Sequence, residues 1–533
     1  MDHANPPAPR RGPWLVLIGV VVVLVFVWGL VSWRGRDDSD AAAQTDAASF
    51  TDEGQTTTVP ESTTTTLPPY DGWVNPASAQ EPWDTPTGGY TTFRGNPTRS
   101  WYGPGPVPDD PQVLWTYPKS GGMCGSSSDG GVRSTWCGDG WTGNPNVFER
   151  DGKTWVSFGG YDYGLHWLDG DTGNELIETF KTGDLAKGTM TTDPDGFPLS
   201  YKGSRDNNFY IVATDRGPKA EVLYKLNAYE NGVTKVWNDD WDGSALILDD
   251  YMFQSGENSW FYIIKLNRGY DAAGKVTINP QIVFTTPSWD SQLQQDAPDR
   301  HFSIESSPMV SGNTVYFANS SGLIQGFDIS GLKQGVTPTR VFRFWTGDDT
   351  DATIVADKQG MLYVGSEWEK NNARSKEIGQ MMKLDPSKPD DPLVWSLPDQ
   401  VAGKAGIWAT PALGDGVVYY ATNGGRVLGV DMATGQVLWS KNLGSQTWGS
   451  PVVVDKTLIE GDCQGNLNAY DVSDPRIDPP LKWTVKLDGC IETTPTVYKG
   501  KIFLATRSGK FYALGNPAAP TTPDTTAPFA DQQ

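Results

Sequence analysis

In the last third of the chain, hydrophobic residues fall in short runs separated by glycine and aspartate turns. Ile407–Trp439 reads IWATPALGDGVVYYATNGGRVLGVDMATGQVLW, Trp448–Trp483 reads WGSPVVVDKTLIEGDCQGNLNAYDVSDPRIDPPLKW, and Ile491–Leu514 reads IETTPTVYKGKIFLATRSGKFYAL. Each unit runs Ser/Thr-Pro, short strand, turn, β-rich run, Gly turn, a strand ending near Asp, and a final Leu-Trp strand. Trp345, Trp395, Trp439 and Trp483 recur 44–50 residues apart. That period predicts four short strands per unit, the pattern of propeller blades.

The repeated residues have local structural roles. Asp169, Asp328, Asp431 and Asp471 end strands, where a short carboxylate can accept turn amides. Gly173 and Gly435 supply positive φ without steric cost. Outer strands are expected to end at Phe180, Trp237, Phe284, Trp345, Trp395, Trp439 and Trp483, each a wedge against the next blade. The last unit stops at Leu514 without its own Leu-Trp strand, and the missing piece stands near the front, as Gln112–Tyr117. A strand borrowed from there would close the ring and remove exposed sheet edges. The reading is all-β: an eight-bladed propeller, with seven blades as the runner-up because the second and third units are poorly defined.

The polarity pattern upstream is different. Residues 14–33 (WLVLIGVVVVLVFVWGLVSW) contain no ionisable side chain, and a helix of that length spans about 30 Å, the thickness of a bilayer core. An uncleaved single-pass anchor is favoured over a removed signal. The expected organisation is a short cytoplasmic segment at 1–13, the span at 14–33, a Thr/Pro-rich linker at 34–70, the propeller at 71–515 and a Pro/Thr-rich tail at 516–533.

Charge and cysteine content narrow the function classes. Net charge is −22, which disfavours nucleic acid and suits cationic ligands, metal ions or basic partner surfaces. The four cysteines form no CxxC motif, so a zinc site or c-type haem is unsupported. An even number behind an export signal predicts two disulfides and a body outside the cytoplasm. All four fall on one predicted face; Cys124–Cys137 with Cys463–Cys490 is favoured among the three pairings that four cysteines allow.

The AspxxThrGlyxxxTrp turns, the Ser/Thr-Pro inner strands and the opening ThrThrPheArgGlyAsnPro at 91–97 resemble quinoprotein-like (PQQ-like) propeller repeats over about Tyr90 to Gly515. The resemblance implies an eight-bladed, periplasmic or extracellular propeller. The family contains both alcohol dehydrogenases dependent on pyrroloquinoline quinone (PQQ) and non-enzymatic envelope propellers, such as the lipoprotein of the outer-membrane β-barrel assembly machinery. In the enzymes the quinone lies between a tryptophan and a disulfide of adjacent cysteines, beside a calcium held by Glu, Asn and Asp. Here no two cysteines are adjacent, so no cofactor is expected, and PQQ with calcium is kept as the alternative.

In a four-stranded blade, the loop before the inner strand and the loop between strands two and three open on the same face. That rule gathers Trp141, Asp242, Glu305, Asp351, Trp408, Trp448 and Glu492 at one channel mouth, with Arg300 and His301 near Glu305 as an acid–base candidate. Glu305, Asp351 and Glu492 are the candidate calcium ligands if they approach closely enough. No Ser-His-Asp arrangement, metal-hydrolase motif or nucleotide-binding glycine loop is legible, and no catalytic residue is assigned. The expected function is therefore a binding or scaffolding module for an envelope or cell-surface protein or glycan, with a monomeric body. A quinone-dependent dehydrogenase is the alternative, and a carbohydrate-binding or carbohydrate-cleaving propeller a further one.

Overall fold

The computed structural model describes residues 70–517 apart from 130–131, 231, 235, 237, 298 and 401–404. The expected span at 14–33 and linker residues 34–69 lie outside the described residues. Among the described residues, no helix is long and apolar enough to cross a membrane.

Eight antiparallel blade sheets are present among the described residues. Their inner strands are Asn146–Arg150, Thr191–Thr192, Leu246–Leu248, Met309–Ser311, Val355–Ala356, Ala412–Gly414, Val452–Val454 and Thr496–Tyr498. The outer strands of the first seven blades are Glu175–Lys181, Glu221–Asn227, Gln281–Pro287, Thr339–Trp345, Leu393–Leu397, Val437–Asn442 and Leu481–Lys486. The eighth blade takes its outer strand from Gln112–Tyr117, which pairs with Phe511–Gly515. The borrowed strand thus closes the ring as expected. Burial follows sequence: every residue of Val417–Ala421, a second strand, is buried, whereas the outer strand Leu481–Lys486 alternates exposed and half-buried positions.

The wedge assignments need correction in three blades. The pairing of strands three and four is interrupted by a register shift, after which a large residue sits opposite Gly429 (Trp439), Ala469 (Trp483) and Lys383 (Trp395). The same position holds Phe284 in blade 3, but Ile177, Tyr224 and Phe342 in blades 1, 2 and 4. Phe180 and Trp345 lie three residues further along, Trp345 ending its strand as expected and Phe180 one residue before its strand's end, whereas the second outer strand ends at Asn227, ten residues short of position 237. A β-bulge moves the side-chain phase by one residue, so a count of aromatics cannot fix the register.

Two devices hold the blades around the axis. The first is a belt of hydroxyl-to-amide bonds formed by a Ser or Thr just before each inner strand, followed by proline at Ser307, Thr410, Ser450 and Thr494. The amides of Asn144, Thr189, Ser244, Ser307, Thr353, Thr410 and Ser450 donate in turn to the hydroxyls of Thr189, Ser244, Ser307, Thr353, Thr410, Ser450 and Thr494, at 2.8–3.1 Å. The Thr494 hydroxyl closes the circle on the Thr142 carbonyl. Each hydroxyl satisfies a buried amide of the preceding blade, which explains why the repeat keeps Ser or Thr there.

The second is the segment containing ThrThrPheArgGlyAsnPro. It starts beside blade 1, where Gly89–Tyr90 pairs with the inner strand. Thr91, Thr92, Pro97, Thr98 and Tyr102 then bond to Thr192, Ala245, Val310, Ala356 and Leu413, at the inner strands of blades 2 to 6. Asp455 of blade 7 accepts the Val107 amide, and Gly105 bridges to Tyr498 of blade 8. Arg94 and Arg99 are fully buried: Arg94 donates to the carbonyls of Pro451 and Pro411, and Arg99 to that of Pro308. This segment fills the interior of the ring below the belt.

Candidate binding face at the propeller axis

The opposite face is built from the two loop classes the repeat places together. The predicted cysteine pairs are bonded: Cys124–Cys137 clamps the hairpin Cys124–Asp129/Val132–Cys137, and Cys463–Cys490 ties blade 7 to the loop entering blade 8. Both flank the loop that carries Arg507. Gly509 accepts the Met123 amide, and Cys490 accepts the Arg507 amide.

Trp141 occupies the centre of this face. Its backbone has φ 58°. Its indole nitrogen donates to Glu305 Oε2 at 3.1 Å, and Lys187 Nζ lies 3.7 Å from its ring centroid. Trp408 meets it edge-on at 5.0 Å, and Trp136 lies 5.8 Å away. Trp448 continues the chain of indoles, 5.7 Å from Trp408. These contacts come from blades 2, 4 and 6 and from the disulfide hairpin, so one indole closes the axis. Trp408 is only 2% exposed; Trp448 is half-buried.

The carboxylates separate into three groups. Asp240, Asp242 and Glu257 are buried, with ligand oxygens all within 4.8 Å of one another; among the described residues they are the only such trio. Lys187 already sits there, 2.5 Å from Asp242 and 3.3 Å from Asp240, and Arg205 approaches Asp240 at 2.8 Å. Burial alone would pull Lys187 down, but Asp242 and Asp240 outweigh it and raise it. At Asp240 burial prevails over both cations and pushes the carboxyl up to about 7.

Glu492 forms the second group. Only 1% exposed, it pairs with Arg507 at 2.9 Å, and Arg507 is stacked on Trp136 and Tyr161. Glu305, Asp349, Asp351 and Glu367 form the third. Burial comes first in raising all four; the first repelling neighbour is Asp242 at Glu305, Glu367 at Asp349, Asp349 at Asp351 and Glu369 at Glu367. Asp351 also accepts from Ser320 at 3.2 Å. The three expected calcium ligands are thus distributed over two groups: Glu305 with Asp351, and Glu492 with Arg507.

His301 meets Asp299, at 3.5 Å, and Lys370 holds the same carboxylate at 3.0 Å. Arg300 beside it is exposed. Lys187, Asp240, Glu257, Asp349, Glu367 and Arg507 escaped the sequence reading. Three of them, Glu257, Glu367 and Arg507, stand in loops between strands two and three. The rule that located the cysteines would have found them had it been applied to charged residues.

The remaining cavity is lined by Asp242, Glu305, Asp351, Trp141, Trp408 and Thr353, among others, and admits about one water-sized group. A tricyclic quinone does not fit there, and the disulfides, spanning 13 and 27 residues, lack the adjacent-cysteine form implied for its sandwich. The trio closest to a metal's ligand set holds the ammonium of Lys187 instead.

Residues 378–514 match the family described as outer membrane protein assembly factor BamB. The curated protein of that name from Salmonella typhimurium is 25% identical over 156 residues, which cover 22% of this chain and 39% of the relative. The match therefore spans well under half of that relative's length. Among solved structures, the quinohemoprotein alcohol dehydrogenase of Comamonas testosteroni is similar at TM-score 0.53 and 13% identity, covering 84% of this chain and 82% of that one. A quinohemoprotein alcohol dehydrogenase of Pseudomonas putida HK5 is similar at TM-score 0.53 and 12% identity, covering 80% of each chain. At these identities the two structures share the fold alone. With residues 378–514 matched to that family and its eight blades closed by the strand around Trp115, the chain is an eight-bladed β-propeller similar over that stretch to quinoprotein-like (PQQ-like) repeats.

Proposed function

We propose that this propeller is a non-enzymatic scaffolding module, anchored through residues 14–33 with its body outside the cytoplasm, that binds an envelope protein on the acidic, indole-filled face. The observation that carries this reading is the closure of the axis by Trp141, held by Glu305, Lys187 and Trp408. A plugged axis offers a partner a broad preformed surface and leaves no pocket of substrate size at the axis itself. Preformed surfaces bind without a large ordering cost. The likeness to a protein named as an outer-membrane assembly factor supports an envelope setting. The near-complete burial of Trp408 favours a protein over a glycan, because a sugar needs an accessible ring face on which to stack.

The test is affinity capture from envelope extracts with the full-length protein in detergent, alongside Glu305→Ala and Glu492→Ala. The wild type is expected to recover a discrete protein that both variants lose. Equal recovery by all three would place the binding surface elsewhere. A parallel arm adds PQQ and calcium and follows bound-cofactor absorbance with dye-linked alcohol oxidation. Turnover there would replace the scaffold reading with the dehydrogenase alternative.

A further inference from the structure

The face opposite Trp141 carries a cavity far larger than the one at the axis. It is a cleft of about 370 Å³ between blades 1 and 2, within the usual size range of ligand sites. The buried Phe148, Trp167 and Leu199 stand at its base, and the more accessible Arg150, Phe197 and Tyr270 around its rim.

Tyr270 reaches this cleft on an element that the four-stranded blade plan does not require. The hairpin Gly269–Tyr270/Val276–Thr277 is inserted between the third strand of blade 3, Trp260–Lys265, and its outer strand, and is tied to blade 2. Arg268, just before it, is 4% exposed and pairs with Asp193 and Asp195 of blade 2, each at 2.7 Å, and with Asp250 at 3.1 Å. The same guanidinium lies over Phe197, 4.8 Å from the ring centroid, and Tyr270 stacks on that ring at 5.4 Å. On the returning strand, the Val276 amide donates to Asp215 at 2.8 Å and its carbonyl accepts from Arg216 at 2.7 Å. Tyr270 is thus held in place yet stays 55% exposed, so its ring face away from Phe197 is uncovered. A large ring fixed in this way adds little to the core and offers a flat apolar surface to a ligand.

Arg150 supplies the directional chemistry. Its Nη1 donates to Thr214 Oγ1 at 2.7 Å, its Nε stands 3.7 Å from Asp151, and its guanidinium lies over Trp155 at 5.1 Å. Nη2 has no hydrogen-bond partner among the described residues. Alone, this group would suit an anion, but Glu149, Asp151 and Asp215 line the same cleft. Glu149 and Asp215 are already paired, with Lys499 and Arg216, so the cleft has no strong net sign. A ligand with a formal charge of either sign meets like charge there. A neutral polyhydroxylated ring meets none: its hydroxyls can accept from Arg150 and donate to carboxylates.

We propose that this cleft binds a neutral saccharide, with one pyranose ring stacked on Tyr270 and its hydroxyls held by Arg150 and Asp151. The site is separate from the indole-filled axial face and does not depend on the function assigned to that face. Envelope polysaccharides and free oligosaccharides present the same ring chemistry.

A glycan microarray probed with the full-length protein, in a detergent without sugar head groups, tests this. The array carries neutral hexose oligosaccharides beside their uronic-acid and amino-sugar counterparts. Calorimetric titration with the best neutral trisaccharide and its two charged counterparts then gives affinities. The neutral sugar is expected to bind at least tenfold tighter than either charged one. Tyr270→Ala is expected to weaken it at least tenfold, and Tyr270→Phe to retain it, both with the wild-type melting profile. Arg150→Lys, which keeps the charge but loses the fork, is expected to weaken it as well. Tighter binding of the parent polysaccharide than of the trisaccharide assigns the source to the envelope; parity assigns it to free sugars. Absence of neutral-glycan binding, preference for either charged class, or an affinity unchanged by Tyr270→Ala overturns the proposal.

Discussion

Trp141 is touched by groups from blades 2, 4 and 6, a convergence that only a residue on the axis can have. Truncation to alanine removes the Nε1 donor to Glu305, the aromatic wall beside Lys187 and the edge contact with Trp408. The Trp141→Ala variant is expected to lose about 3 kcal/mol of stability in chemical denaturation, in the range for large aromatic truncations. Trp141→Phe should recover part of that loss, because it keeps the ring but not the donor. Equal stability of wild type and alanine variant would mean that the indole does not close the axis. At this scale the sequence was informative about the acids and indoles before inner strands, since their placement follows from blade order alone. It was silent about Lys187, because a lone lysine in a loop carries no periodic signal, and its role appears only once Asp240 and Asp242 surround it.

Between elements, two of the joints between neighbouring blades are an indole seated on a glycine. A Cβ on Gly435 would stand 2.8 Å from the Trp395 ring, and one on Gly173 would stand 2.6 Å from that of Trp115. Both glycines have positive φ, 75° and 68°, in turns capped by Asp431 and Asp169. Gly435→Ala should therefore cost about 2 kcal/mol, left-handed strain adding to the clash. Thermal unfolding would reveal it, and an unchanged midpoint would show that the joint is slack. The sequence exposed these turns and the borrowed strand because Asp, Thr and Gly repeat at fixed offsets. It misassigned the wedges of blades 1, 2 and 4, since a bulge leaves no residue signature and Ile177, Tyr224 and Phe342 stand where Phe180 and the tryptophans at 237 and 345 were expected. Four of the belt's seven hydroxyls were visible as Ser/Thr-Pro dipeptides, at Ser307, Thr410, Ser450 and Thr494; their purpose required seeing each hydroxyl reach the amide of the blade before it.

Over the whole molecule, buried acids make stability fall as pH rises. Asp139, Asp240, Glu257, Glu305, Asp349, Asp351, Glu367 and Glu460 are all raised, in each case first by burial. The folded state therefore retains protons that the unfolded chain releases near pH 4. Their stabilising contribution is complete below that pH and declines above it, Asp240's being lost as pH passes about 7. Carboxyls shifted downward, such as Asp431 at about 2, act in the opposite direction, but only below about pH 4. Scanning calorimetry should accordingly show the melting temperature falling between pH 5 and pH 8; a flat or rising profile would contradict the protonated interior.

The central claim is that the molecule works through its plugged, acidic face. Site-specific photo-crosslinking in the cells that make the protein tests it most directly, with the photoreactive residue at position 448 on that face or at position 270, where Tyr270 is 55% exposed on the opposite one. A discrete crosslinked protein is expected from 448 and not from 270. Crosslinking of that protein from 270 alone, or equally from both, would contradict it.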